Sequence, residues 1–293
     1  MNKKILVIGA TGKLGEPVAR QLLKDGFKVK VFSRNVNKAK EQLDDRFEYV
    51  RGDVSDSATI NTALEDCWGI HFSLRGGFTT EELNRVEYQG LVNTINAAKK
   101  NDVSRFTFLS IAVDLEKARW FPMADVKLKS EKALINSGIP YTIFSATSFY
   151  ENFPQMIRSG KASTIGKQPN LWRFVSADDF AKMVSKSFQL DQAANKKFYV
   201  LGPEALTIKE GLSKYLKIMH PEIKKVSTVP IGMIAFIGTV TFNRELKYLA
   251  ELMRFFEREK EYGDSKETDE LLGAARTTIE QWAKNQINNS GLN

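Results

Sequence analysis

Residues 4–15 read Lys4-Ile5-Leu6-Val7-Ile8-Gly9-Ala10-Thr11-Gly12-Lys13-Leu14-Gly15. An aliphatic run closes on a glycine, and two more glycines follow at intervals of three. Such a run reads as a strand buried on both faces. Residues 13–24 then place Leu14, Val18, Leu22 and Leu23 on one face of a helix. Between strand and helix, glycine serves three needs: unusual backbone angles in the turn, close approach of the backbone to a pyrophosphate, and tight packing of helix on strand. The free N–H groups at the helix start bind the anion. Three glycines alone are a weak signal, but in this strand–turn–helix setting they are a strong one for a dinucleotide.

The alternation continues outward. Strands are expected over 28–33, 47–51, 68–74, 105–110 and 141–145. Helices are expected over 36–43, 57–64, 80–100 and 124–137, the last closed by Gly138 just past its cap. Strands and helices in turn mean an α/β fold with a doubly wound parallel sheet, here over residues 1–155. Beyond Ser145 the rhythm breaks. Helices are expected over 175–190, 207–219 with Thr207 as cap, 244–261 and 274–286, and a strand over 197–201. Residues 156–293 thus read as a smaller, helix-rich substrate domain with segments returning to the sheet. The highly charged segment 257–270 reads as a mobile loop.

Composition bounds the function. The 293 residues are 42% hydrophobic and 27% charged, which excludes disordered, collagen-like and coiled-coil chains. Lys and Arg number 43 against 35 Asp and Glu, a net charge of +8, but no dense basic run interleaved with aromatics points to nucleic acid. The single Cys67 and two histidines, His71 and His220, leave no disulfide framework, and no metal is expected. No signal-peptide pattern opens the chain, and the longest apolar stretch, 229–242, is too short for a bilayer span. A soluble, cytoplasmic protein with no membrane partner is expected. The stretch 230–242 either lines a substrate pocket or packs in the core.

The end of the second strand bears on cofactor choice. An NAD site places an acid there for the ribose hydroxyls. Here the strand ends Phe32-Ser33-Arg34, with Lys38 four residues on. Arg34 can fork onto a 2′-phosphate and Lys38 can add a second charge, which favours NADP(H); otherwise both are ordinary surface residues.

The Gly-x-x-Gly-x-x-Gly spacing over Gly9, Gly12 and Gly15, with its flanks, resembles the extended and atypical short-chain dehydrogenases/reductases, and more narrowly the NmrA-like and isoflavone-reductase-like branch. The resemblance covers roughly residues 3–155 and implies a Rossmann-type sheet and a nicotinamide cofactor. It places Asp53 on the adenine amino group and Val54 on the adenine ring, though Asp53 also suits a turn. It sets Phe72, Ser73 and Leu74 against the nicotinamide ribose, and the segment 146–153 near the nicotinamide, with Phe149 over the ring. Ser110 stands where the family often carries a serine, or simply closes its strand. Thr11, Lys13 and Leu14 belong to the phosphate turn.

Ordinary members of the superfamily carry a tyrosine four residues before a lysine. The lysines here are Lys127, Lys129 and Lys132, preceded at that spacing by Met123, Asp125 and Leu128. No such pair exists. The isoflavone-reductase-like branch uses a lysine eleven residues before a Gly-aliphatic-Pro-Tyr-Thr segment. Gly138-Ile139-Pro140-Tyr141-Thr142 puts that lysine at Lys127, with Glu131 at the matching glutamate position. Lys127 then polarises a carbonyl or supplies a proton; alternatively it forms a solvated helix pair with Glu131. His71 inside its strand reads as packing, and so, rather than as a spare proton donor, does Tyr150. Trp172 and Trp282 read the same way.

These features fit an NADPH-dependent reductase of a small apolar quinone, enone or carbonyl, with Lys127 catalytic. The missing tyrosine leaves open a non-catalytic NADP(H)-binding sensor with a protein partner. Replacing Arg34 with alanine is expected to weaken NADPH binding more than NADH binding, by titration of each. Equal losses would remove the 2′-phosphate assignment.

Overall fold

The computed structural model describes residues 3–290. Met1 and Asn2, read as leading straight into the first strand, lie outside them. Seven parallel strands form the central sheet: β1 (Lys4–Ile8), β2 (Lys28–Ser33), β3 (Glu48–Arg51), β4 (Gly69–Phe72), β5 (Arg105–Ile111), β6 (Tyr141–Ala146) and β10 (Lys196–Val200). Their order is β10-β6-β5-β4-β1-β2-β3. The order reverses between β1 and β4, which makes their carboxyl ends the switch point where ligands of such sheets bind.

The helices that cross over are α1 (Gly15–Lys24), α2 (Val36–Gln42), α3 (Ser57–Leu64), α4 (Thr80–Leu83), α5 (Gly90–Lys100), α6 (Leu115–Ala118) and α7 (Pro122–Ile135). The helix expected over 80–100 is not uniform: residues Asn84–Gln89 make a π-helical turn between α4 and α5. Gly138 has φ +79° and lies two residues past the Asn136 cap of α7, one further than expected.

The second half both returns to the sheet and builds outward. It contributes β7 (Ile157–Arg158), β8 (Lys161–Ile165), β9 (Trp172–Arg173), α8 (Ala177–Ser187), β10, β11 (Ala205–Leu206), α9 (Ile208–Met219), β12 (Val226–Val229), α10 (Ile231–Val240), α11 (Arg244–Arg258), α12 (Lys266–Leu271) and α13 (Ile279–Ser290). Helix α8 covers the face beside α1, where Ser185 donates to Asp25 at 2.6 Å. Helix α9 starts on a full capping box, Thr207 with Glu210. Tyr150, Phe153, Phe174, Tyr215 and Trp282 centre a separate aromatic core in this half. No helix among the described residues is long and apolar enough to cross a membrane.

Two expectations need correction. Segment 257–270 is not a free loop. Glu257 accepts from the Lys167 N–H, Glu259 from the Trp120 indole at 2.7 Å, and Glu261 from the Arg173 guanidinium at 2.7 Å and the Thr147 hydroxyl at 2.6 Å. The Tyr262 N–H bonds the Ala112 carbonyl at 2.9 Å, so the segment is a strap across the carboxyl ends of β5 and β6. High charge here means fixed carboxylate anchors rather than solvation. The stretch 230–242 does not pack in the core: Met233, Phe236, Val240 and Phe242 are exposed.

Gly15 is constrained by close approach. A Cβ there would lie 2.1 Å from the Gly9 carbonyl oxygen, whereas a Cβ on Gly232 of α10 meets nothing within 4 Å. Gly15→Ala is expected to cost about 1–3 kcal/mol or more, and Gly232→Ala to be neutral or stabilising by up to about 1 kcal/mol. Urea unfolding of the two variants checks the contrast.

Candidate functional site

The site is built where β1, β2, β4 and β5 end. Gly9 has φ +101°, and a Cβ on it would lie 2.7 Å from the Ser73 carbonyl oxygen. The glycine turn and the end of β4 thus touch backbone to backbone. Gly12 donates to Gly9 O at 2.9 Å, and the amides of Lys13 and Leu14 have no backbone partner among the described residues. The Ser73 hydroxyl is buried beside the turn without a hydrogen-bond partner. Thr11 is exposed, its carbonyl accepting from Gln42.

At the end of β2, Ser33 bonds the Asn35 N–H at 3.2 Å, and Asn35 caps α2 through the Lys38 N–H. This turn leaves Arg34 and Lys38 exposed, neither side chain in an ion pair. No acid stands at the strand end. Asp53 spends one oxygen on Ser55, at 2.9 Å from its N–H and 2.7 Å from its hydroxyl, which holds the carboxyl below its ordinary pKa. Three side chains are core rather than lining. Val54 packs on α5 where a Cβ on Gly90 would touch it, Phe72 lies fully buried between Phe106 and Phe108, and Phe149 meets Phe180 edge-on at 5.6 Å. Leu74 is half-buried.

The structure separates the three lysines of α7. Lys129 pairs with Asp125 and Lys132 with Glu116 on the outer face. Lys127 is buried. Its Nζ lies 3.0 Å from Glu87 Oε2 and 3.1 Å from the Leu109 carbonyl, and 4.9 Å from the centre of the Phe108 ring. The Lys127–Glu131 helix pair is absent: Glu131 accepts from Ser110 at 2.5 Å and from Lys197 of β10 at 2.7 Å. Glu87 comes from the π-helical turn, and its other oxygen accepts from the Gly76 N–H at 2.7 Å. Lys127 is thereby tied to the loop after β4. Neither histidine joins this cluster. His71 is fully buried against Thr107 at 2.9 Å, and burial drives its pKa down to about 3. Tyr150 stacks on Phe153 and Phe174 and donates to the Thr277 carbonyl at 3.2 Å, a packing role.

Residues unseen in the sequence come from later segments. Tyr248 of α11 is buried between Phe121 and Phe78, 5.8 Å and 5.9 Å away, with the Arg75 guanidinium 5.8 Å from its ring. Its hydroxyl is buried near the Arg75 guanidinium, and burial pushes it up to about 12, so it stays protonated. Glu151 Oε1 accepts from the Ala177 N–H at 2.9 Å and the Trp282 indole at 3.1 Å, while Oε2 is buried without a partner. Burial pushes this carboxyl up to about 7. Lys13 sits within electrostatic reach of both Glu151 and Arg75, and burial, then Arg75, holds its ammonium below the ordinary pKa. The acid Glu151 was legible; its burial depends on Trp282, over a hundred residues on.

The chain belongs to the NmrA-like family, whose model matches residues 1–284. It is 26% identical over 241 residues to the Photosystem II assembly factor Ycf39 of Trieres chinensis, covering 80% of this chain and 75% of that one. Its fold is that of the Citrobacter sp. triphenylmethane reductase crystallised with NADP(H), at TM-score 0.76 and 20% identity over 96% of this chain and 99% of that one. It also matches the NADPH-dependent quinone oxidoreductase QOR2 of Escherichia coli, crystallised with NADPH, at TM-score 0.75 and 22% identity over 97% and 99%. The residues present fit a dinucleotide: a turn with no Cβ at Gly9, Gly12 and Gly15, unspent amides, and an unpartnered Ser73 hydroxyl facing it.

Glu151 makes a pH signature. Its carboxyl shifts from an ordinary 4.5 to about 7 on folding, so between those values the native state holds the proton and the unfolded chain does not. The stability tied to protonated Glu151 is full below about pH 4.5 and is lost as pH rises toward about 7. Glu151→Gln keeps both accepted bonds and does not titrate. Its stability relative to wild type is expected to grow by about 2–3 kcal/mol from about pH 5 to about pH 8. His71, which opposes this trend, is present in both proteins and cancels. A flat difference in denaturant unfolding would show that Glu151 ionises normally.

Proposed function

We propose that the protein is an NADPH-dependent reductase of a small apolar acceptor such as a quinone, enone or carbonyl. Lys127 carries this reading. An ammonium has three protons to donate; one goes to the Leu109 carbonyl, and the Glu87 carboxylate stands beside it as an ion pair, which leaves a proton for an acceptor oxygen. Held by that bond and that pair and shielded from water, it polarises the oxygen more strongly than a solvated lysine would. Glu87 is a positioning residue that holds Lys127 against the loop after β4. Tyr248, protonated and beside Arg75, is a second proton donor.

The amides of Lys13 and Leu14, the Ser73 hydroxyl, and the backbones at Val54, Phe72 and Phe149 hold the dinucleotide, with Asp53 at its adenine and Leu74 at the ribose. Arg34 and Lys38 take the 2′-phosphate. When bound, NADPH supplies the hydride. Likeness to NADPH-dependent reductases of a quinone and a dye supports an apolar acceptor.

A second reading, an NADP(H)-binding protein without turnover that acts on a protein partner, is favoured by two observations. Met123 stands where a catalytic tyrosine would, and the Ycf39 relatives are named assembly factors.

The two readings separate in a panel of quinones, enones and carbonyls followed by NADPH absorbance. Lys127→Ala is expected to lower kcat about 100-fold or more with NADPH binding within a few-fold of wild type. Because that change strands Glu87, the Glu87→Gln/Lys127→Gln double variant is expected to regain stability yet stay inactive. Turnover that survives in both variants discards Lys127. Tight NADPH binding with no turnover in wild type favours the second reading.

A further inference from the structure

The loop that leaves β4 is pinned at two points. Glu87 accepts from the Gly76 N–H at 2.7 Å, and Glu82 accepts from the Phe78 N–H at 2.8 Å. A Cβ on Gly77 would lie 2.1 Å from Glu82 Oε2, so glycine lets that carboxylate close on the loop. Arg75, the residue before these anchors, has a fixed root although its side chain is exposed. Its guanidinium carbon lies 5.8 Å from the centres of both the Phe78 and the Tyr248 rings, which meet edge-on at 5.9 Å. Attraction to two aromatic rings gives this long side chain a preferred place.

No carboxylate of this chain among the described residues lies within 4 Å of Arg75. Glu82 and Glu87, the acids bonded to its loop, are already used: Glu82 by the Phe78 amide, Glu87 by the Gly76 amide and Lys127. Another cation is within its electrostatic reach, since burial and then Arg75 hold the Lys13 ammonium below its ordinary pKa. A guanidinium stays charged at any working pH, and its planar fork of donors suits a carboxylate, sulfonate or phosphate. A placed cation without an acid of its own attracts one from solution.

Glu87 also says where that acid would sit. One of its oxygens holds the Gly76 amide and the other holds Lys127, so the root of Arg75 and the Lys127 ammonium are joined through one carboxylate. Tyr248 is within electrostatic reach of both Arg75 and Glu87. An acceptor whose oxygen meets Lys127 thus has the Arg75 guanidinium at its rim.

We propose that Arg75 is a specificity-determining residue: the acceptor is an apolar ring system that carries an acidic group, and the guanidinium receives that group while Lys127 meets the carbonyl oxygen. This inference rests on the reductase reading and narrows its substrate class. The dinucleotide pyrophosphate offers Arg75 the same anionic chemistry from the side of Lys13, and the test separates the two sources.

NADPH oxidation by the full chain is followed with ortho-naphthoquinone and with its ring sulfonate, in wild type, Arg75→Gln and Arg75→Lys. The sulfonate alters the reactivity of the ring equally in all three proteins, so the ratio of the two kcat/KM values, sulfonate over parent, is compared between them. That ratio is expected to fall about tenfold or more in Arg75→Gln, mainly through the KM of the sulfonate, and to be partly restored in Arg75→Lys. Unfolding midpoints are expected to agree, since the side chain is exposed. An unchanged ratio, with both quinones reduced, overturns the inference and leaves the reductase reading standing. Loss of NADPH and NADH affinity alike in Arg75→Gln, by fluorescence titration, with both quinones slowed equally, overturns it in favour of the pyrophosphate. Wild type that binds NADPH and reduces neither quinone overturns the reductase reading and the inference with it.

Discussion

The fold turns on a contact that no side chain could survive. The Gly9 carbonyl occupies the space a Cβ on Gly15 would need, and Gly9 itself lies against the Ser73 backbone. Three segments, the end of β1, the start of α1 and the end of β4, are therefore locked together by main chain alone. The lock falls where crossovers from β1 and β4 leave in opposite directions, so the cleft it opens is floored by peptide groups. Peptide N–H groups at a helix start are fixed dipoles. A site lined with them favours an anion before any charged residue is added. Arg34 and Lys38, exposed at the end of β2, add positive charge at its edge.

A second layer of order comes from buried carboxylates. Glu87 and Glu131 both sit in the packed space around α7, where an unpaired charge would cost several kcal/mol. Each is met by a lysine and by a second donor: Lys127 and the Gly76 amide for Glu87, Lys197 and the Ser110 hydroxyl for Glu131. With their second donors these pairs draw on five separate segments. Misregistering α7 by one residue would break both at once, which is a specificity that leucines could not provide. The π-helical turn before α5 fits the same logic, since an extra residue per turn rotates Glu87 relative to a continuous helix and such turns gather at functional sites.

This explains what the sequence let one read and what it did not. The first six strands were legible because each is a short apolar run between helical patterns, and the tight turn after β1 because its glycines recur at intervals of three between strand and helix. Lys127 was reachable by its spacing from Gly138, but its partner was misread, because i,i+4 geometry on a helix says nothing of what packs from another element. Tyr248 and Trp282 were invisible as site residues, since each enters across more than a hundred residues of chain. The strap from Glu257 was misread because charge was taken as solvation, when its carboxylates cap amides and an indole. The apolar stretch of α10 reads from sequence as core or as pocket lining for the complementary reason: hydrophobicity alone does not say on which side a helix finds its partner.

The α10–α11 hairpin joins these themes. Its inner helix carries Tyr248 beneath Arg75, next to the carboxylate that holds Lys127. Its outer helix shows large apolar side chains that the interior does not need, because the aromatic core around Tyr150 and Trp282 is closed without them. Gly238 lets the two helices approach closely, its packing against the Lys247 backbone leaving no room for a Cβ. The hairpin thus reaches the surroundings of Lys127 through Tyr248 of its inner helix, and its outer helix is held to that inner helix by backbone packing at Gly238.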